Sequence, residues 1–124
     1  MSELRLLAGS YAVFRLAADA AIPVWAVGGS FSSVTRTHDE LSIVCAEGLA
    51  PGGTKCESGW RVLQVAGPLE FSLTGVLAAI AAPLANAGVS IFAISTFDTD
   101  YVLVKEENLV KAVEALRGAG HRVA

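Results

Sequence analysis

Apolar and polar positions alternate in short runs along most of this chain, the pattern of strands with one face buried. Leu4–Leu7 and Tyr11–Leu16 predict extended segments, and Ala17–Ala21, just before Pro23, has room for no more than about one helical turn. Any helix here is abbreviated. Phe31–Arg36 and Leu41–Cys45 predict two antiparallel strands joined through the polar Thr37-His38-Asp39-Glu40. Ala46–Gly59, with Pro51-Gly52-Gly53 and few large apolar residues, predicts a loop between halves, and Trp60–Val65 a strand that Gly67-Pro68 ends.

The period then changes. Thr74–Ala87 predicts a helix with Ser72 or Thr74 as N-cap and Gly88 as the left-handed stop, bent near Ala79–Pro83 because Pro83 cannot donate its backbone hydrogen bond. Val89–Thr96 and Tyr101–Lys105 predict a hairpin turning through Phe97-Asp98-Thr99-Asp100. Asn108 is placed to cap a last helix, whose Leu109, Ala112, Val113 and Leu116 recur at helical spacing. Gly118-Ala119-Gly120 ends it, before a short extension over His121–Val123.

An internal repeat organises these elements. Ser30–Cys45 slides onto Ser90–Lys105 without a gap at an offset of 60, so that Val34 meets Ile94, Glu40 meets Asp100 and Val44 meets Val104. Tyr11–Leu16 likewise matches Trp60–Val65. Each half reads strand, helix, strand, strand, and the second adds a helix and a closing segment. The expectation is an α+β protein of two ferredoxin-like βαββ units, with antiparallel sheets and helices on one face: a reduced unit over 1–59 and a complete one over 60–124.

Composition narrows the function. A hydrophobic fraction of 53% against 17% charged residues makes self-association an expectation. Nine Lys and Arg against twelve Asp and Glu, scattered along the chain, give no footprint for nucleic acid. The apolar stretch Val76–Ala87 is too short for a bilayer, which needs about 20 residues. Met1–Leu7, holding Glu3 and Arg5, does not read as a signal peptide, and with Cys45 reading as a buried small hydrophobe and Cys56 as an ordinary loop thiol, a cytoplasmic location is expected. His38 and His121 lack a nucleophile partner, and no phosphate cradle, calcium loop or zinc spacing is present. No enzyme activity, cofactor or metal is expected.

Gly67-Pro68-Leu69-Glu70-Phe71-Ser72-Leu73-Thr74-Gly75-Val76-Leu77, followed by Ile94-Ser95-Thr96-Phe97-Asp98-Thr99-Asp100-Tyr101-Val102-Leu103-Val104, resembles the ACT-domain family. The likeness is strongest to the subgroup containing the CASTOR-type arginine sensors and small bacterial proteins with paired ACT units. Val34–Val44 resembles the degenerate first unit of that subgroup.

The resemblance implies a regulatory protein that binds a small amino-acid-type ligand where units meet, with a ligand-independent protein interaction module as the alternative. It implies a site built from Glu70, Leu73, Thr74, Gly75, Val76 and Leu77, from Thr96, Phe97, Thr99 and Asp100, and from Ser90 and Ile91 across the interface. Leu73 stands where the sensors carry a carboxylate. The sensors hold four units and this chain two, so the same enclosure requires a homodimer.

The residue chemistry suits a zwitterion. A helix start with unpaired N–H groups, approached closely at Gly75, can take a carboxylate. Asp100 can take an ammonium, with Thr74, Thr96 and Thr99 adding hydroxyls. Asp100 also fits a plain turn residue, Gly75 a packing glycine, Ser72 and Thr74 plain caps, and Thr96 and Phe97 a strand end.

Overall fold

The computed structural model describes residues 2–67 and 74–124. The chain divides into two compact units, Gly9–Trp60 and Met1–Ala8 with Arg61–Ala124.

In the first unit, β2 (Tyr11–Leu16), β3 (Ser33–Arg36) and β4 (Leu41–Ala46) pair antiparallel in the order β3, β4, β2. The first half of β5 (Cys56–Val65) continues that order, pairing Phe14 with Cys56 and Tyr11 with Trp60 around an irregularity between Tyr11 and Val13. This pairing starts β5 at Cys56, four residues earlier than the loop pattern of Ala46–Gly59 implies. Ala12, Phe14, Leu41, Ile43 and Cys45 form the core with Ala26. Ala26 comes from a single 3-10 turn, Val24–Val27, set off by extended Pro23. That turn follows Pro23, where the sequence predicts the abbreviated helix over Ala17–Ala21 before it, and brings Trp25 edge-on to Phe14, ring centroids 5.1 Å apart.

In the second unit β6 (Ile91–Ser95), β7 (Asp100–Lys105), the second half of β5, β1 (Glu3–Leu6) and β8 (Arg122–Val123) lie side by side in that order. Two helices, α1 (Val76–Asn86) and α2 (Leu109–Gly118), cover one face. Leu4, Leu63, Val65, Val102 and Val104 pack there against Ile80 and Leu84 of α1 and Ala112 and Leu116 of α2. Alternation along the strands sends these side chains to one face, and helical spacing brings Ile80 and Leu84 onto one stripe. Each large side chain so buried contributes about 1.5–3 kcal/mol.

Three expectations need correction. A boundary at 59/60 assigns β1 to the first unit, yet β1 pairs antiparallel with β5 (Leu4 opposite Val65) and parallel with β8 (Glu3 opposite Arg122). Its core-facing Leu4 completes the second unit's apolar layer.

The repeat is also shifted by one. Arg36 pairs with Leu41 and Ser95 with Asp100, so the hairpins superpose at an offset of 59 and Thr37–Glu40 falls on Thr96–Thr99. The hydrogen bonds agree: Thr37 N–H donates to the Glu40 carbonyl at 2.9 Å and Thr96 N–H to the Thr99 carbonyl at 2.8 Å. In both turns the threonine hydroxyl also accepts the N–H three residues on, at 3.2 and 3.3 Å.

Finally, α1 starts at Val76 after Gly75, whose φ of 79° is left-handed, and not at a Thr74 cap. Ser72 lies outside the described residues. Gly88 (φ 75°) ends the helix as expected. Asn108 precedes α2, but its side chain makes no capping hydrogen bond.

Candidate functional site

The site region begins where β5 ends. Gly67 lies so close to the β6–β7 turn that a Cβ there would sit 3.0 Å from Thr99 Cβ and 3.1 Å from the Asp98 carbonyl oxygen. Glycine makes that approach without contact, whereas a side chain there would press the turn back by a few tenths of an ångström. It sets the exit of β5 beside the Thr96–Asp100 turn, at one end of the second unit's sheet. Sequence reading recognises Gly67-Pro68 as a turn but gives no sign of this partner, more than thirty residues away.

Thr99 anchors the same end. It is 5% exposed, and its hydroxyl donates to the Val65 carbonyl at 2.7 Å. Thr96 folds the turn, its hydroxyl donating to the Thr99 carbonyl at 3.0 Å and accepting the Thr99 N–H. Both hydroxyls thus hold the backbone. Phe97 at the turn tip is 79% exposed. Asp100 is half-buried and accepts a 2.6 Å hydrogen bond from the Ser95 hydroxyl across the hairpin.

On the helix side, Thr74 and Gly75 are exposed, while Val76 and Leu77 are half-buried against the core. Glu70 and Leu73 lie outside the described residues. Ser90 and Ile91 stand at the far end of β6, with Ile91 opposite Val104. Four residue-to-residue steps of strand separate Ile91 from Ser95, roughly 14 Å, so within one chain this pair does not join the turn.

A groove of about 280 Å³ borders Gly67, lined also by Glu3, Leu4, Arg5, Gln64, Ala66 and Ala124. Arg5 donates to the Gln64 side-chain oxygen at 2.8 Å. Glu3 lies 3.8 Å from Arg122. This wall is not legible in the sequence, where a boundary at 59/60 places β1 in the other unit. Of the two thiols, Cys56 is exposed and Cys45 buried, and burial pushes the Cys45 thiol above its ordinary value. Among the described residues no helix is long and apolar enough to cross a membrane.

Comparison with known proteins gives the family. An ACT-domain model matches residues 55–118, and a second model, of an N-terminal domain, matches residues 9–52. The cytosolic arginine sensor for mTORC1 subunit 1 of Homo sapiens, like that of Bos taurus, is 42% identical over 59 residues, 47% of this chain. The chain spans only 18% of the length of those sensors.

The crystal structure of an Agrobacterium tumefaciens protein is 43% identical, with a TM-score of 0.94 over 99% of this chain and 92% of that one. Aspartate kinase of Clostridium acetobutylicum shares the fold at 15% identity, with a TM-score of 0.66 over 94% of this chain and 33% of the kinase. With more than half of its length matched by the domain model, the chain belongs to the ACT-domain family.

Proposed function

We propose that this protein is a regulatory module that binds a small amino-acid-type ligand between two copies of itself. The observation that carries the reading is the approach of Gly67 to Asp98 and Thr99, which brings the exit of β5 beside the β6–β7 turn. In the sensors that the chain resembles, these two segments enclose the ligand. The start of α1 takes the carboxylate and Asp100 the ammonium. Ser90 and Ile91 come from the partner copy, along β6, whose one neighbour among the described strands is β7. Leu73, in place of the sensors' carboxylate, favours a ligand other than arginine.

Binding shifts an assembly or partner equilibrium by differential affinity. Thermal stability against a panel of the twenty amino acids tests it: a ligand at about 100 times its Kd adds about 2.7 kcal/mol. A flat panel refutes the reading. The first unit favours a second one, a ligand-independent interaction module, because Val24 is 91% and Val27 65% exposed beside exposed Ile22. A bound protein whose affinity ignores all amino acids would support it.

A further inference from the structure

Pro83 lies inside α1 and has no N–H, so the helix cannot supply the usual hydrogen bond to the carbonyl four residues back, that of Ala79. A residue from outside the helix supplies it. His121 Nε2 lies 2.8 Å from the Ala79 carbonyl oxygen, and its Nδ1 accepts the Ser2 backbone N–H at 2.9 Å. A carbonyl only accepts and a peptide N–H only donates, so the two bonds together define a neutral ring with its proton on Nε2. The ring is 5% exposed.

The backbone that presents this ring is itself fixed. Gly120, at φ 93°, closes α2 with its N–H on the Arg117 carbonyl, and the His121 N–H reaches back to the Leu116 carbonyl, both at 3.0 Å. This is the paired-bond helix ending that a left-handed glycine permits. At the other end of the contact, the Ala79 N–H donates to the Gly75 carbonyl at 2.9 Å, closing the first turn of α1. Ala79 is thus held through both its polar groups, one within the helix and one by the imidazole.

We propose that His121 is a positioning residue: it completes α1 in place of Pro83 and ties the helix's first turn, which includes Gly75, Val76 and Leu77, to the start of β1. Its bearing on a ligand rests on the functional reading above. The latch itself does not, and its test uses no ligand, so the two fail separately.

The test is a double-variant cycle in urea with wild type, His121→Ala, Pro83→Ala and the double variant. Pro83→Ala returns an N–H to the helix and gives the Ala79 carbonyl its own partner. The rise in unfolding constant caused by His121→Ala is expected to be about fivefold smaller in the Pro83→Ala background, the worth of one hydrogen bond. Packing and the Ser2 bond are lost equally in both backgrounds and cancel. Equal rises overturn the proposal. Should His121→Ala not fold, the nitrogen-15 spectrum of the unaltered protein decides: the Nε2–H tautomer is expected, and the Nδ1–H tautomer overturns the assignment.

Discussion

Replacing Thr99 by valine separates a structural role from a ligand contact at this position. The hydroxyl is buried and donates to the Val65 carbonyl over 2.7 Å, at the end of β5. Valine keeps the branched shape, removes the donor and leaves that carbonyl without it, which costs about 1–3 kcal/mol. The added methyl returns part of this, so a net loss of about 1–2 kcal/mol is expected.

Thr99→Ser is the control. It keeps the hydroxyl and gives up one methyl group, about 0.8 kcal/mol. Urea unfolding, with the transition slope compared across variants, should rank wild type above Thr99→Ser and Thr99→Ser above Thr99→Val. A Thr99→Val protein as stable as wild type would refute the reasoning: the hydroxyl would then contribute nothing to the fold, and its service would be to a ligand.

Asp100→Ala should abolish any amino-acid-induced rise in melting temperature while leaving the far-UV spectrum unchanged; a retained shift removes Asp100 from the site. Gly67→Ala should lower stability by about 1–3 kcal/mol, because its Cβ would press on Thr99 Cβ and the Asp98 carbonyl; an unchanged urea midpoint contradicts that contact. Leu84→Ala, at a fully buried position of α1, should cost about 2–5 kcal/mol by the same assay.

In the native protein Cys56 should react with a thiol reagent promptly and Cys45 only on unfolding; equal rates would show Cys45 to be open. Since burial raises the Cys45 thiol in the folded state, the linked stability is complete below the ordinary value of 9.0 and declines as pH rises beyond it, which urea midpoints across that range would register.

Much of the local structure was readable from the chain. Tyr11–Leu16 is β2 to the residue, and the polar Thr37–Glu40 and the Phe97–Asp100 region both mark real hairpin turns. Gly88 and the apolar spacing of Leu109, Ala112 and Leu116 mark one helix end and one buried stripe.

The offset of 60 failed for a definable reason. Ile43–Cys45 and Val102–Val104 are each buried at every position, so apolar matching there cannot distinguish one register from the next. The turn hydrogen bonds can, and they require 59. The start of α1 failed differently: Ser72 and Thr74 have the better side chains for a cap, but the chain enters the helix through a left-handed turn that Gly75 allows.

The candidate site was legible as two segments and not as an arrangement. The sequence names Thr96, Thr99 and Asp100 for ligand chemistry, with a strand end open for Thr96 and a plain turn residue for Asp100. In the fold, Thr99 is committed to Val65 and Thr96 to the turn, while Asp100 carries the ionisable group. What the sequence alone determined is what neighbouring residues impose on one another: alternation, turn chemistry and helix punctuation. Which strands lie together, how β1 joins β5 and β8, what Gly67 packs against, and how His121 answers the gap at Pro83 were decided only by tertiary structure. Those contacts join residues 42 and 59 positions apart in the cases of His121 with Ala79 and Arg5 with Gln64, and only the packed chain brings such groups within hydrogen-bonding distance.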